Sequence, residues 1–260
     1  MKIKKMLFAA FLTAALLGSN LLFAQSSSYL NLGLNIPQGT FGSKTNSCAL
    51  LDPTSTQGGA NLGANLGFKF INGTKAKGLG IMFSIDGMYN GLQKDINIER
   101  YMHTAIPEIA GLDVKVKNPS YINMPILLGL NYNLGLSNTI GIFAEGGAGI
   151  NVRFLVPCKM TASGEVNVFG TNIQTDCSYE YHYTPKVAFA FQFGGGIVIS
   201  KAITLGVNYY NLGTSGVTGY TNSYLKTSAS SQSITETKDF SYDEGLSTSM
   251  LIVRLGIRLM

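Results

Sequence analysis

Charge is what this 260-residue chain has least of: Asp, Glu, Lys and Arg together make 13% of it, against 45% hydrophobic residues. That is about half the charged share of a soluble domain, and with so many apolar residues it excludes intrinsic disorder. Long apolar runs are also missing. Beyond the N-terminus no stretch of about 18 uncharged apolar residues occurs, which excludes a helical membrane protein. Tryptophan is absent and there are only three cysteines. The cysteines form no Cys-x-x-Cys pair and the two histidines, His103 and His182, stand alone, so no metal or cofactor site is expected. Helical periodicity is scarce as well.

What excess there is lies in basic residues and glycine. The net charge of +5 and the pI near 9.0 invite a nucleic-acid reading, but much of the excess sits in an N-terminal leader. Lys2, Lys4 and Lys5 precede an apolar run from Met6 to Leu17, and Leu22-Phe23-Ala24 precedes Gln25. This is the pattern of a cleaved secretory signal over residues 1–24. Removing its three lysines leaves a chain of +2. No basic patch faces outward, so nucleic acid is not expected as a partner.

Residues 25–260 repeat a period of two. Leu30, Leu32, Leu34 and Ile36 alternate with Asn31, Gly33 and Asn35; Ile203, Leu205, Val207 and Tyr209 alternate with Thr204, Gly206 and Asn208. Similar segments start near Leu62, Leu79, Ile122, Ile140, Val187 and Leu251, which makes eight strands. The connections alternate between short turns near residues 72–73, 135–138 and 200–202 and long segments over 37–58, 91–119, 155–185 and 213–247. An even strand count with alternating short and long connections predicts an all-β, eight-stranded antiparallel transmembrane up-and-down β-barrel. It would sit in the bacterial outer membrane, with the lipid bilayer as its first partner.

The polar face decides which side looks outward. Asn, Gly, Ser and Gln dominate it, and its charges are Lys69, Asp86, Glu145, Arg153, Lys186, Arg254 and Arg258. So few charges would solvate a soluble exterior poorly. The apolar face carries none, in keeping with the cost of about 2–4 kcal/mol for a Lys or Arg at a bilayer midplane.

Tyr121-Ile122-Asn123-Met124-Pro125-Ile126-Leu127-Leu128 resembles the Tyr-(Ile/Leu)-x-(Ile/Val/Met)-Pro-(Leu/Ile)-Leu segment of Bacteroidota-type outer-membrane β-barrel domain proteins, the PorT-like group. The Leu-Phe-Ala-Gln leader ending and the terminal strand 251–260 are similar to theirs, while Met260 stands where many barrels end in an aromatic. The resemblance implies an outer-membrane barrel and allows partners in secretion or surface assembly. Pro125, lacking an N–H, is expected at a bulge or kink.

Three groups of residues are candidates for function. In the lumen, Asp86, Glu145 and Arg254 fall at similar heights and should pair, with Lys69 and Arg258 forming a lower cationic layer. They would either plug the lumen or gate a narrow porin-like channel. In the third long connection, Cys158 and Cys177 are expected to form a disulfide in an oxidising compartment, leaving Cys48 odd. There too, Tyr179, Tyr181 and Tyr183 share a strand face, either as a recognition surface or as packing within a hairpin. Ser178, Glu180 and His182 on the other face are the only triad-like spacing, too commonplace to predict an enzyme. The expected role is structural or surface-interacting.

Overall fold

Alternation of apolar and polar residues becomes, in three dimensions, a closed ring. The computed structural model describes residues 26–43, 49–50, 55–73, 78–93, 112–168, 171–229 and 233–259; the leader, Cys48, His103 and Met260 lie outside the described residues. Eleven strands form one sheet: β1 (Ser26–Pro37), β2 (Ala60–Gly73), β3 (Leu79–Leu92), β4 (Asp113–Lys117), β5 (Ser120–Gly135), β6 (Ile140–Val156), β7 (Cys158–Val168), β8 (Thr171–Tyr183), β9 (Lys186–Ile199), β10 (Ile203–Thr227) and β11 (Ile234–Arg258). Eight of them, in the order β1-β2-β3-β5-β6-β9-β10-β11, pair antiparallel with their neighbours, and β11 returns to β1 to close the barrel. These eight are the predicted strands.

The long connections, expected as loops apart from a strand face over residues 178–183, hold β-structure throughout much of their described length. β7 and β8 form a hairpin, β4 pairs with β7, and β10 and β11 continue past the barrel rim to Thr227 and from Ile234. The lower half of β10 pairs with β9, its upper half with β8. The change of partner falls at two register shifts, Asn211/Thr214 and Ser215/Val217. Gly213 sits there at φ +80°, a left-handed conformation that suits glycine, and its N–H donates to Asn211 Oδ1 at 2.9 Å. A five-stranded platform, β4-β7-β8-β10-β11, thus stands on the long-connection end of the barrel.

The faces follow the alternation. Leu34, Leu62, Leu128 and Phe189 point outward and are each more than 60% exposed. Asn31, Asn35, Asn65, Asn123 and Asn208 point inward and are buried. The interior is less polar than expected, because Met82, Leu127, Phe143 and Tyr210 are buried there too. Pro125 makes no bulge. Its register with Asn151 is continuous, and on the β3 side the pairs Ile85–Ile126 and Met88–Asn123 keep one register across it. The ladder with β3 is interrupted beside the proline without a shift of register.

The β9–β10 turn is built against residue preference. Ser200 and Lys201 both have positive φ, 49° and 57°, and Ala202 N–H donates to Ile199 C=O at 3.0 Å. Such a two-residue turn favours Asn-Gly. The double variant Ser200→Asn, Lys201→Gly should therefore raise stability by about 1 kcal/mol, read as a higher urea midpoint with unchanged slope.

Candidate functional site

Glu145, on β6, is the centre of the lumen. Its Oε2 accepts from Lys69 Nζ at 2.8 Å and Asn131 Nδ2 at 3.0 Å. Its Oε1 accepts from Asn208 Nδ2 at 2.9 Å and from an Arg254 guanidinium nitrogen. Arg254 turns its other nitrogen to Tyr210 Oη at 3.1 Å, and that hydroxyl donates to Asp86 Oδ2 at 3.1 Å. Asn65 Nδ2 reaches Asp86 Oδ1 at 3.5 Å. Lys69 Nζ also lies over the rings of Phe143 and Tyr29, at 5.0 and 5.5 Å from their centroids. All four charged groups are buried.

Charges taken out of water each cost several kcal/mol unless paired and hydrogen-bonded. Two cations and two anions meet here and balance, with amides and a phenol filling the remaining acceptor sites. The contacts cross the lumen. β3 and β10 stand opposite one another in the ring, so the Tyr210–Asp86 bond spans its full width. Space for this is made by glycine: a Cβ on Gly67 would overlap the Asp86 carboxylate.

The sequence placed Asp86, Glu145 and Arg254 together, and the structure brings them together. It corrects the rest of that group. Lys69 belongs to no separate lower layer, since its long side chain rises to Glu145. Arg258 lies half-exposed four residues farther along β11. Arg153 sits away from this cluster and donates to backbone oxygens of Ser215, Gly216 and Leu246 at 2.8, 3.1 and 3.1 Å. Those are the irregular segments of β10 and β11, so Arg153 clamps the place where the ladder breaks. Tyr210 was missed. Period two assigns its neighbour Tyr209 outward and leaves Tyr210 inward, but an aromatic draws no notice as a lumen ligand.

Above this layer lies a buried apolar cluster. The first long connection carries a 3-10 turn, Gly39–Gly42, and places Phe41, Ala49 and Leu50 in one buried cluster with Met88, Leu127 and Met250. Phe41 meets Tyr121 edge-on at 5.0 Å, Tyr121 donates to Gly58 C=O, and the Gln93 amide donates to Gly42 and Ala60 carbonyls at 2.9 and 3.0 Å.

In the platform, Tyr179, Tyr181 and Tyr183 turn to this core. Their rings pack on one another and on Phe240 at 5.4–6.3 Å, and Tyr183 donates to Leu50 C=O at 3.1 Å. They form packing rather than a displayed recognition surface. On the opposite face His182 stacks on Tyr220 at 4.7 Å, and its Nε2 is 3.5 Å from Glu180. Ser178 is four residues from His182 along the same strand, about 13 Å away, so no triad forms.

The expected Cys158–Cys177 disulfide is also corrected. Cys158 faces Tyr181 and Cys177 faces Ala162, which separates the two by four residues, about 13 Å along the hairpin, where a bridge needs Cα atoms within about 7 Å. Cys158 is fully buried in the core, and Cys177 keeps a thiol whose pKa burial pushes up.

No family model matches the chain, and no curated protein does, so the PorT-like resemblance at Tyr121–Leu128 gains no support there. Among solved structures, the chain is similar to the attachment invasion locus protein Ail of Yersinia pestis, at 11% identity and TM-score 0.38, over 90% of this chain and 99% of that one. It is also similar to a major outer membrane protein of Thermus thermophilus, at 9% and 0.40 over 90% and 100%. A third is the outer membrane protein OprG of Pseudomonas aeruginosa, at 10% and 0.37 over 91% and 96%. Scores this low leave the functional reading to the barrel's own geometry.

Removing one partner from a balanced buried cluster should cost more than removing two. Glu145→Gln alone leaves Lys69 and Arg254 facing only Asp86 and should destabilise the barrel by about 3–5 kcal/mol. Lys69→Met with Glu145→Gln restores neutrality and should recover much of that loss, measured by urea unfolding in detergent micelles.

Proposed function

We propose that the chain is an integral protein of the bacterial outer membrane, exported by a leader cleaved after Ala24, whose barrel is a sealed anchor and whose working part is the platform above it. The exterior of the ring supports the membrane reading. Large apolar side chains such as Leu34, Leu62 and Phe189 are exposed, while the charges of the ring strands lie inside or at their ends. Ring strands of 12 residues or more exceed the 9–11 that a tilted strand needs to cross a bilayer.

The observation that carries the anchor reading is the Tyr210–Asp86 bond across the ring, locked to Glu145 through Arg254. A narrow channel for ions or small solutes would need these side chains apart. At Gly67 the space that a side chain would take is occupied by the Asp86 carboxylate. The plugged anchor is therefore the better supported of the two, and the platform the part placed for contact with other surfaces.

In a planar bilayer the purified chain should show no stable open level above background; a reproducible conducting step would overturn the sealed reading. On intact cells, a membrane-impermeant amine reagent should label Lys115, Lys117 and Lys159, all exposed on the platform. Labelling only after lysis would place the platform on the wrong side of the membrane.

A further inference from the structure

We infer that the upper part of β11 is a docking edge for the same edge of a second copy, pairing antiparallel about Thr237. In the platform, β10 lies between β8 and β11. β1 leaves β11 at the Pro37–Met250 pair. Above it, among the described residues, Ile234–Phe240 pairs with β10 alone and presents a free edge about 23 Å long. Residues 234–239 are exposed. A free strand edge is a template for another strand.

The sequence of the edge says which strand fits. A twofold centred on Thr237 sets Glu236 opposite Lys238 of the second copy, and Lys238 opposite its Glu236, two opposite-charge pairs on one face. It sets Ile234 opposite Phe240 twice, which covers the Ile234 side chain, 65% exposed at the hairpin end. Directly opposed side chains of this kind stabilise a ladder, and like charges destabilise it. The neighbouring symmetric registers fail that test: centring on Glu236 opposes two glutamates, and centring on Lys238 opposes two lysines. A register shifted by one residue would misplace the backbone donors. The edge is complementary to itself in one register.

Antiparallel pairing also fixes how the copies stand. Each β11 runs from the hairpin end down into its own barrel, so the two barrels lie at opposite ends of the shared sheet. Resting on the membrane reading above, this arrangement joins two outer membranes face to face, as between adjacent cells, rather than two barrels side by side.

The test uses the full chain. With Thr237→Cys in detergent under mild oxidation, a covalent dimer should form at least about tenfold more than with Thr235→Cys, and the unsubstituted chain should form no covalent dimer through this edge. Glu236→Lys should lower the Thr237→Cys dimer by about tenfold, and the swap Glu236→Lys with Lys238→Glu should restore it. These side chains are exposed, so each variant keeps its fold, checked by unchanged heat-modifiable migration. Absence of the Thr237→Cys dimer, or a charge swap that fails to restore it, overturns the pairing. Two populations of phosphatidylethanolamine/phosphatidylglycerol vesicles carrying the protein should then cluster, and Glu236→Lys should abolish clustering. Dimer in detergent without clustering of vesicles that do contain inserted protein overturns the face-to-face arrangement. Failure of the chain to insert overturns the membrane reading instead, and leaves the detergent result standing.

Discussion

Everything in this barrel is arranged around the two oxygens of Glu145. A carboxylate this deep is tolerable only because Lys69 and Arg254 neutralise it and Asn131 and Asn208 satisfy it. Arg254 in turn needs Asp86, which it meets through Tyr210. Each member solves the burial problem of the next, so the group stands or falls together. The small inward residues follow from it. Glycine at position 67 leaves room for the Asp86 carboxylate, and asparagine supplies short amides that reach the acids without filling the lumen.

The same constraint accounts for the distribution of charge. The wall of the ring looks outward with leucine, isoleucine, valine and phenylalanine, so polar side chains of the ring strands have only the inside to occupy. Inside, the charged ones among them are paired or hydrogen-bonded. Above the membrane-sized part of the strands the rule relaxes, and the platform carries Lys115, Lys159, Glu236 and Lys238 in the open. Arg153 marks the boundary between the regimes. It is buried like the lumen charges, but its partners are backbone oxygens freed where β10 and β11 lose register.

Much of the fold was legible because one face of each ring strand is uniformly apolar. That imposes strict alternation, as in Leu30 to Ile36, and alternation plus connection length yields the ring. Of the platform, the sequence shows only residues 178–183 as strand, because the rest lacks that pressure. Thr171 to Asp176 is polar on nearly every residue, and only pairing with β7 shows it to be strand. In the site, Asp86, Glu145 and Arg254 were found by counting heights along the strands, which fixes Cα positions. Counting does not tell how far a lysine side chain reaches, so Lys69 was set too low. Nor does it show that a phenol will bridge an acid and a base, so Tyr210 went unseen. The cysteine pairing failed for a related reason: spacing in sequence says nothing of the register in which a hairpin folds.

A double-mutant cycle between Asp86 and Tyr210 measures the claim that the lumen is closed by contact across its full width. Stability of the wild type, Asp86→Asn, Tyr210→Phe and the double variant would be read by urea unfolding in the same micelles. The sealed barrel predicts a coupling energy of about 1–3 kcal/mol between residues on opposite strands. Additive effects within about 0.5 kcal/mol would mean that the two side chains do not meet, and would contradict the account.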